Sequence, residues 1–189
     1  MYSPMEDLLP QLKSFYNSTS FVDCIAGTTN EPFAKIATTL DLSFACLSLF
    51  IAKRTTNKVS QQLLVNKILK ADVEAHAGQV VYTDEILNEM ATKGDQLLGQ
   101  LFPSQKSAIV GVVMNHAKIR VGTASMLVSV AAYLLLATIK KEARNRNWDN
   151  QEFPFFLYEL KSMHSIAPQL NAKDIETLGV SSLFMKVRA

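Results

Sequence analysis

Two cysteines are too few to build a disulfide framework in a chain of 189 residues. Cys24 and Cys46 sit among apolar neighbours (FVDCIAG and SFACLSLF), which reads as two buried, reduced thiols of a cytosolic protein. Net charge is also scarce, formally +2. The strongly basic face that marks a nucleic-acid binder is therefore missing, and no nucleic-acid partner is expected. Metal-ligand spacing is missing as well. His76, His116 and His164 have no second ligand at helical or hairpin distance, and neither cysteine has a CxxC partner, so neither metal nor cofactor is expected. Gly94 and Gly99 copy the glycine spacing of a phosphate loop. Gln100-Leu101 stands where Lys-Ser/Thr is required, however, and no strand precedes it. Gly94 reads instead as a helix stop and Gly99 as a close-packing or turn position. Nucleophilic catalysis needs a serine or cysteine with a base in reach, and no such constellation stands out. The N-terminal MYSPMEDLLPQLKSFY lacks a basic stretch followed by a long apolar one, so no secretory signal is expected and the Asn17-Ser18-Thr19 sequon has no role.

Strand signals are nearly absent too, while apolar residues recur at three- and four-residue spacing almost everywhere, which predicts an all-α chain. At 48% hydrophobic and 19% charged residues, it has material for a core and too little charge for disorder. The dominant stretch is Val121 to Ile139, VGTASMLVSVAAYLLLATI, without a single charge. At about 1.5 Å per residue it is roughly 28 Å long, enough to span a bilayer and enough to be the wrapped centre of a helical domain. The second reading is favoured. Gly122, Thr123, Ser125, Ser129 and Thr138 dilute the stretch, and its neighbours carry apolar faces (Ile109, Val112, Val113; Phe153, Phe156, Leu157, Leu160) that need it as a partner.

Local punctuation divides the rest. Ser3, Pro4 and Glu6 form a capping box for a helix to about Phe15. A short helix from Ser20 ends at Gly27. Another opens at Asn30-Glu31-Pro32 and runs to Leu40, and Ser43 caps the very apolar FACLSLFIAKR. Asn57 caps KVSQQLLVNKILK, with Val59, Leu63, Leu64, Lys67 and Ile68 on one face. Residues 71–79 read as a polar linker. Thr83 caps a helix stopping at Gly94, Leu97 to Phe102 make an apolar turn, and Pro103 or Ser104 starts the next helix. The long apolar helix runs from about Thr123 to Arg144, with Asn145, Asn147 and Asn150 at its exit. Glu152 to Met163 is aromatic-rich, and Asn171 and Asp174 frame a last helix ending near Gly179. A short amphipathic helix, a break and a very apolar helix describe residues 32–53 and again 104–139. The chain thus reads as one domain, residues 1–189, with pseudo-repeat halves 18–70 and 94–160 packed around two central apolar helices.

GDQLLGQLF from Gly94, SAIVGVVMNHAKI from Ser107 and VGTASML from Val121, then a long apolar helix, a basic exit and a final helix, resemble the bacterial domain of unknown function 937 (YidB-like) family. The resemblance extends over roughly residues 20–160. It implies an all-helical bundle and supplies no catalytic residue. The family's glycine-rich middle and its proline in the first apolar helix have no counterpart in AHAGQVVYTDEI or in Leu47 to Ala52.

Two clusters remain as candidate contacts. Lys140, Lys141, Arg144 and Arg146 form a basic group in which Lys140 and Arg144 share a helix face. Cations at a helix C-terminus answer the macrodipole, and the same group suits a phosphate or anionic lipid. Phe153, Phe155, Phe156 and Tyr158 suit a core face or a partner-binding patch. His116, at a helix end, reads as interacting with free carbonyls. The expected function is that of a soluble, cytoplasmic, non-catalytic protein that binds a protein partner or itself, with Lys140, Lys141, Arg144, Phe155 and Tyr158 as its contact residues. A membrane-associated protein with one span at 121–139 is the alternative, and an enzyme comes third.

Overall fold

The computed structural model describes residues 5–16, 18–73, 81–149 and 151–185. The Ser3 cap, Asn17, His76, Asn150 and all but 71–73 of the expected linker lie outside these residues. The elements are α1 (Met5–Tyr16), α2 (Thr19–Thr29), α3 (Phe33–Thr55), α4 (Lys58–Lys70), α5 (Asp84–Leu101), α6 (Lys106–Ala117), α7 (Val121–Arg146), α8 (Glu152–Glu159) and α9 (Ala172–Thr177), with 3-10 turns at Leu160–Ile166 and Ser181–Leu183. No strand occurs among the described residues. The chain is an all-α bundle.

Its centre is the pair α3 and α7, packed side by side and running in the same direction. Leu40, Phe44, Leu47 and Leu49 of α3 and Leu127, Tyr133, Leu134 and Leu135 of α7 are fully or almost fully buried. Both helices are long and apolar enough to cross a membrane. Of the most apolar stretch, 72% is buried in α3 and 83% in α7. Apolarity on all sides forces this arrangement, because such a helix needs neighbours all round. Ser43 is inside α3, not at its start. Its hydroxyl donates to the Thr39 carbonyl at 2.6 Å, so the side chain that suggested a cap is spent on the preceding turn. Thr39 and Thr138 bond back in the same way.

The connections into the two central helices are built alike. Asn30 and Lys118 end α2 and α6 in the left-handed region, with φ of 56° and 54°. Pro32 and Arg120 then lead into α3 and α7 in extended conformation, with φ/ψ of −69°/151° and −68°/149°. Each connection is tied by the other. Lys35 Nζ donates to the Lys118 carbonyl at 2.9 Å, and Arg120 Nη2 donates to the Thr29 carbonyl at 2.7 Å. These bonds occupy carbonyls that a helix end leaves without an internal partner. Gly27 is therefore not a stop: α2 continues through it to Thr29.

Gly94 is not a stop either. α5 runs through it to Leu101, and a Cβ at that position would lie 1.8 Å from the Ser129 carbonyl oxygen on α7. The glycine lets two helix backbones meet. Gly99, expected at a close-packing or turn position, is at neither: it lies within α5, and a Cβ there would touch nothing within 4 Å.

α4 is the loosest of the long helices. Asn57 caps it as expected, accepting from the Val59 and Ser60 N–H groups at 3.0 and 3.1 Å. Its single apolar face, however, divides into two stripes. Leu64 and Ile68 are buried, whereas Val59 and Leu63 are 70% and 54% exposed. Each residue turns the helix by about 100°, so Val59 and Leu63 form one stripe and Leu64 and Ile68 another, well over 90° apart. Only the second reaches the core.

A candidate interaction groove between α4 and α8

An Asp149-x-x-Glu152 exchange starts α8. The Asp149 carboxylate accepts from the Gln151 and Glu152 N–H groups, both at 2.7 Å, and the Glu152 carboxylate accepts from the Asp149 N–H at 3.3 Å. These bonds hold the Asp149 carboxyl below its usual pKa, with the Glu152 N–H as the largest cause. The turn so fixed presents Trp148, whose ring lies 4.5 Å from Phe156 and 5.9 Å from Phe153. The Arg146 guanidinium sits 5.6 Å from the indole centroid. Phe153 and Phe156 are core residues, and their neighbour Phe155 is 63% exposed.

Between this turn and α4 lies an open groove of about 800 Å³. Val65 and Leu69 line one wall, Trp148, Phe155 and Tyr158 the other, and Ala143 of α7 also contributes. Leu69 is 42% exposed. The Lys161 ammonium stands 3.7 Å from the Tyr158 ring centroid and holds that ring in place. The charged lining is Lys58 on the α4 side and Asp149 on the α8 side.

The expected contact residues separate into two groups. Phe155 and Tyr158 line the groove. The basic group is not one surface: Lys140 is buried and donates to the Ala71 carbonyl at 2.7 Å, while Lys141 and Arg144 are exposed. Four-residue spacing puts Lys140 and Arg144 near one another on α7, but the chain around Ala71 covers only the first. Arg146 donates to the buried Glu142 at 3.1 Å, and Glu142 also accepts from Gln11 of α1 at 2.6 Å. Sequence reasoning missed Trp148, Leu69 and Asp149. Asp149 was findable, because an acid three residues before Glu152 and near Pro154 is a start signal. That Leu69 and Trp148 share a groove has no local signature.

Other chemistry-bearing groups are placed as follows. His116 Nε2 lies 2.8 Å from Asp174 Oδ2, so its partner is a carboxylate of α9 rather than a helix carbonyl. The same oxygen accepts from the Asn171 N–H at 2.9 Å in the capping box of α9, and this fixes the carboxylate against the imidazole. Ser107 and Thr177 share the shallow depression around this pair, and neither is hydrogen-bonded to the ring. His164 meets Phe184 edge-on at 5.0 Å. Cys46 is buried and its thiol is pushed up to about 12 by burial. Cys24 is only half-buried, where two buried thiols were expected, and its pKa is raised by desolvation and by the neighbouring Asp84 carboxylate. No group of three or more His, Cys, Asp or Glu suited to a metal ion occurs among the described residues. Comparisons with protein-family models, with curated proteins and with solved structures returned no match.

Proposed function

We propose that this chain is a soluble, cytoplasmic, non-catalytic binding protein, and that its working surface is the groove between α4 and α8. One observation carries the reading: Leu69 and Phe155 line the same groove and remain 42% and 63% exposed, beside a Trp148 ring packed on Phe153 and Phe156. Exposed aromatic and aliphatic side chains around a recess are the usual anchors of a protein interface. The YidB-like resemblance over residues 20–160 agrees with a helical bundle whose working part is a surface. The like connections into α3 and α7 support reading 18–70 and 94–160 as related halves. The test is affinity capture from the native host with the wild-type chain and with Leu69→Ala and Phe155→Ala. A partner retained by the wild type and lost by both variants, at unchanged thermal midpoint, is the expected result. Equal retention by all three would refute the groove.

A second reading rests on the span-length apolarity of α3 and α7, which a membrane-inserted chain would also display. High-speed centrifugation after detergent-free lysis separates the two readings. Recovery only in a carbonate-resistant membrane fraction would replace the first with the second.

A further inference from the structure

The geometry points to an acidic amphipathic helix as the occupant of the α4/α8 groove, lying with its carboxylates over α4. This inference rests on the groove being the working surface. Three observations carry it. The recess lies between two helices, and its lining includes the apolar side chains Val65 and Leu69 of α4 and Trp148 and Phe155 on the α8 side. A ligand helix presenting anchors at i, i+3 or i+4, and i+7 fills such a recess without leaving backbone groups unpaired.

Next comes charge. α4 carries Lys58, Lys67 and Lys70 and no acidic residue. Lys58 stands in the groove itself, and Lys67 and Lys70 line a second depression on the far side of the same helix, with Lys93 of α5. Asn66 lines both. α4 is thus a basic ridge between two recesses, and its outward residues Lys58 and Lys70 are exposed. Lys93 is already paired with Asp72 and Glu89 at 2.8 and 2.9 Å, and Lys67 donates to the Gln100 carbonyl at 2.6 Å. Lys58 therefore carries the attraction inside the groove, and Lys70 adds to it from the ridge beside it.

The opposite wall sets the orientation. Its carboxylate, Asp149, accepts from two N–H groups of the first turn of α8, which keep it ionised, so it repels an acidic ligand and the ligand's charges lie over α4. The same pattern disfavours the other occupants. In a two-fold pairing of this chain around α4, lysines would face lysines. A lipid surface suits a protruding apolar face, whereas Leu69, Trp148 and Phe155 line a recess that they share with Gln61, Gln62 and Gln151.

The test is selection of helical peptides from a random phage-displayed library on the intact protein, with the enriched peptides then synthesised and titrated by fluorescence anisotropy. The expected peptides have apolar residues at helical spacing and net negative charge. They lose at least about tenfold in affinity to Lys58→Glu combined with Lys70→Glu, and a similar factor to Phe155→Ala, and they weaken as salt is raised. Neutral or basic peptides that bind and are lost on Phe155→Ala would overturn the acidic assignment and leave the groove standing. Peptides indifferent to Phe155→Ala, or no enrichment at all, would overturn both. Vesicles of phosphatidylserine and phosphatidylcholine provide the remaining arm: sedimentation of the wild type with them, lost in the lysine variants, would replace the peptide by a membrane surface.

Discussion

α5 and α4 both lean on the central pair, and they do so in opposite ways. α5 comes so close to α7 that one position must be glycine, with the Ser129 carbonyl where a Cβ would go. It buries Leu87, Met90, Leu97, Leu98 and Leu101. α4 buries two side chains and leaves Val59, Leu63 and Leu69 in solvent. The two segments look similar as sequence, each a capped amphipathic helix of ordinary composition. The difference teaches that apolar content measures what a helix can bury, while its neighbours decide how much is buried inside the chain. On α5 all of it is spent on folding. On α4 a surplus remains, next to a row of lysines, and that surplus is the basis of the functional proposal.

The largest effects are expected where both helices rest. Leu135→Ala and Leu49→Ala remove fully buried side chains from α7 and α3 and should each cost roughly 2–5 kcal/mol in urea unfolding. An unchanged midpoint for either would remove the centre on which the comparison depends. Gly94→Ala should cost about 3 kcal/mol, the upper end for overpacking, because the obstruction is backbone and cannot rotate away. Its companion Gly99→Ala has open space around its Cβ and should stabilise by about 0.5–1 kcal/mol through helix propensity. Opposite signs at two glycines of one helix would establish the close crossing, and equal signs would abolish it.

Asp149 offers a smaller, pH-dependent effect on the far wall of the groove. Its folded pKa lies below the ordinary 3.8, so its contribution to stability is fully present above that value and is lost as pH falls through the depressed one. The thermal midpoint of Asp149→Ala should therefore lie below that of the wild type near neutral pH, and the two should converge in strong acid. A gap that persists in acid would mean that the carboxylate's charge has no part in holding α8. Smallest of all is Leu63→Ala, expected to move stability by no more than about 0.5 kcal/mol. A loss of several times that would mean that α4 is packed like α5 and has no surplus to offer.

The all-helical class, the wrapped centre and several helix starts were legible in the residues. Asn57 and the Asn171–Asp174 pair cap the helices they were expected to cap, because a side-chain cap is a local interaction between residues two or three apart. Ser43, Gly27 and Gly94 carried the same kind of local signal and misled, because each is overruled by something distant or internal to a longer helix. Ser43 bonds its own preceding turn, α2 passes Gly27 to reach the carbonyl that Arg120 ties, and Gly94 answers to Ser129. Phe155 and Tyr158 were recognisable as unusual in an aromatic run. Their groove was not, since Leu69 and Trp148 come to line one recess only after the fold has brought α4 and α8 together. The separation of Lys140 from Lys141 and Arg144 was hidden for the same reason: nothing near Lys140 in the chain announces the Ala71 carbonyl that holds it.

Cys46 carries a practical consequence of the wrapped centre. Burial pushes its thiol up to about 12, so the reactive thiolate is scarce at neutral pH, and the side chain on α3 is fully buried. A thiol reagent reaches it only when α3 loses its neighbours. Cys24 faces the Asp84 carboxylate at 3.5 Å from a half-buried position on α2 and becomes accessible through a much smaller opening. The chain therefore contains two clocks of different depth. Labelling at Cys24 times the local parting of α2 from α5, labelling at Cys46 times the opening of the whole bundle, and the ratio of the two rates measures how far the periphery breathes while the centre stays shut.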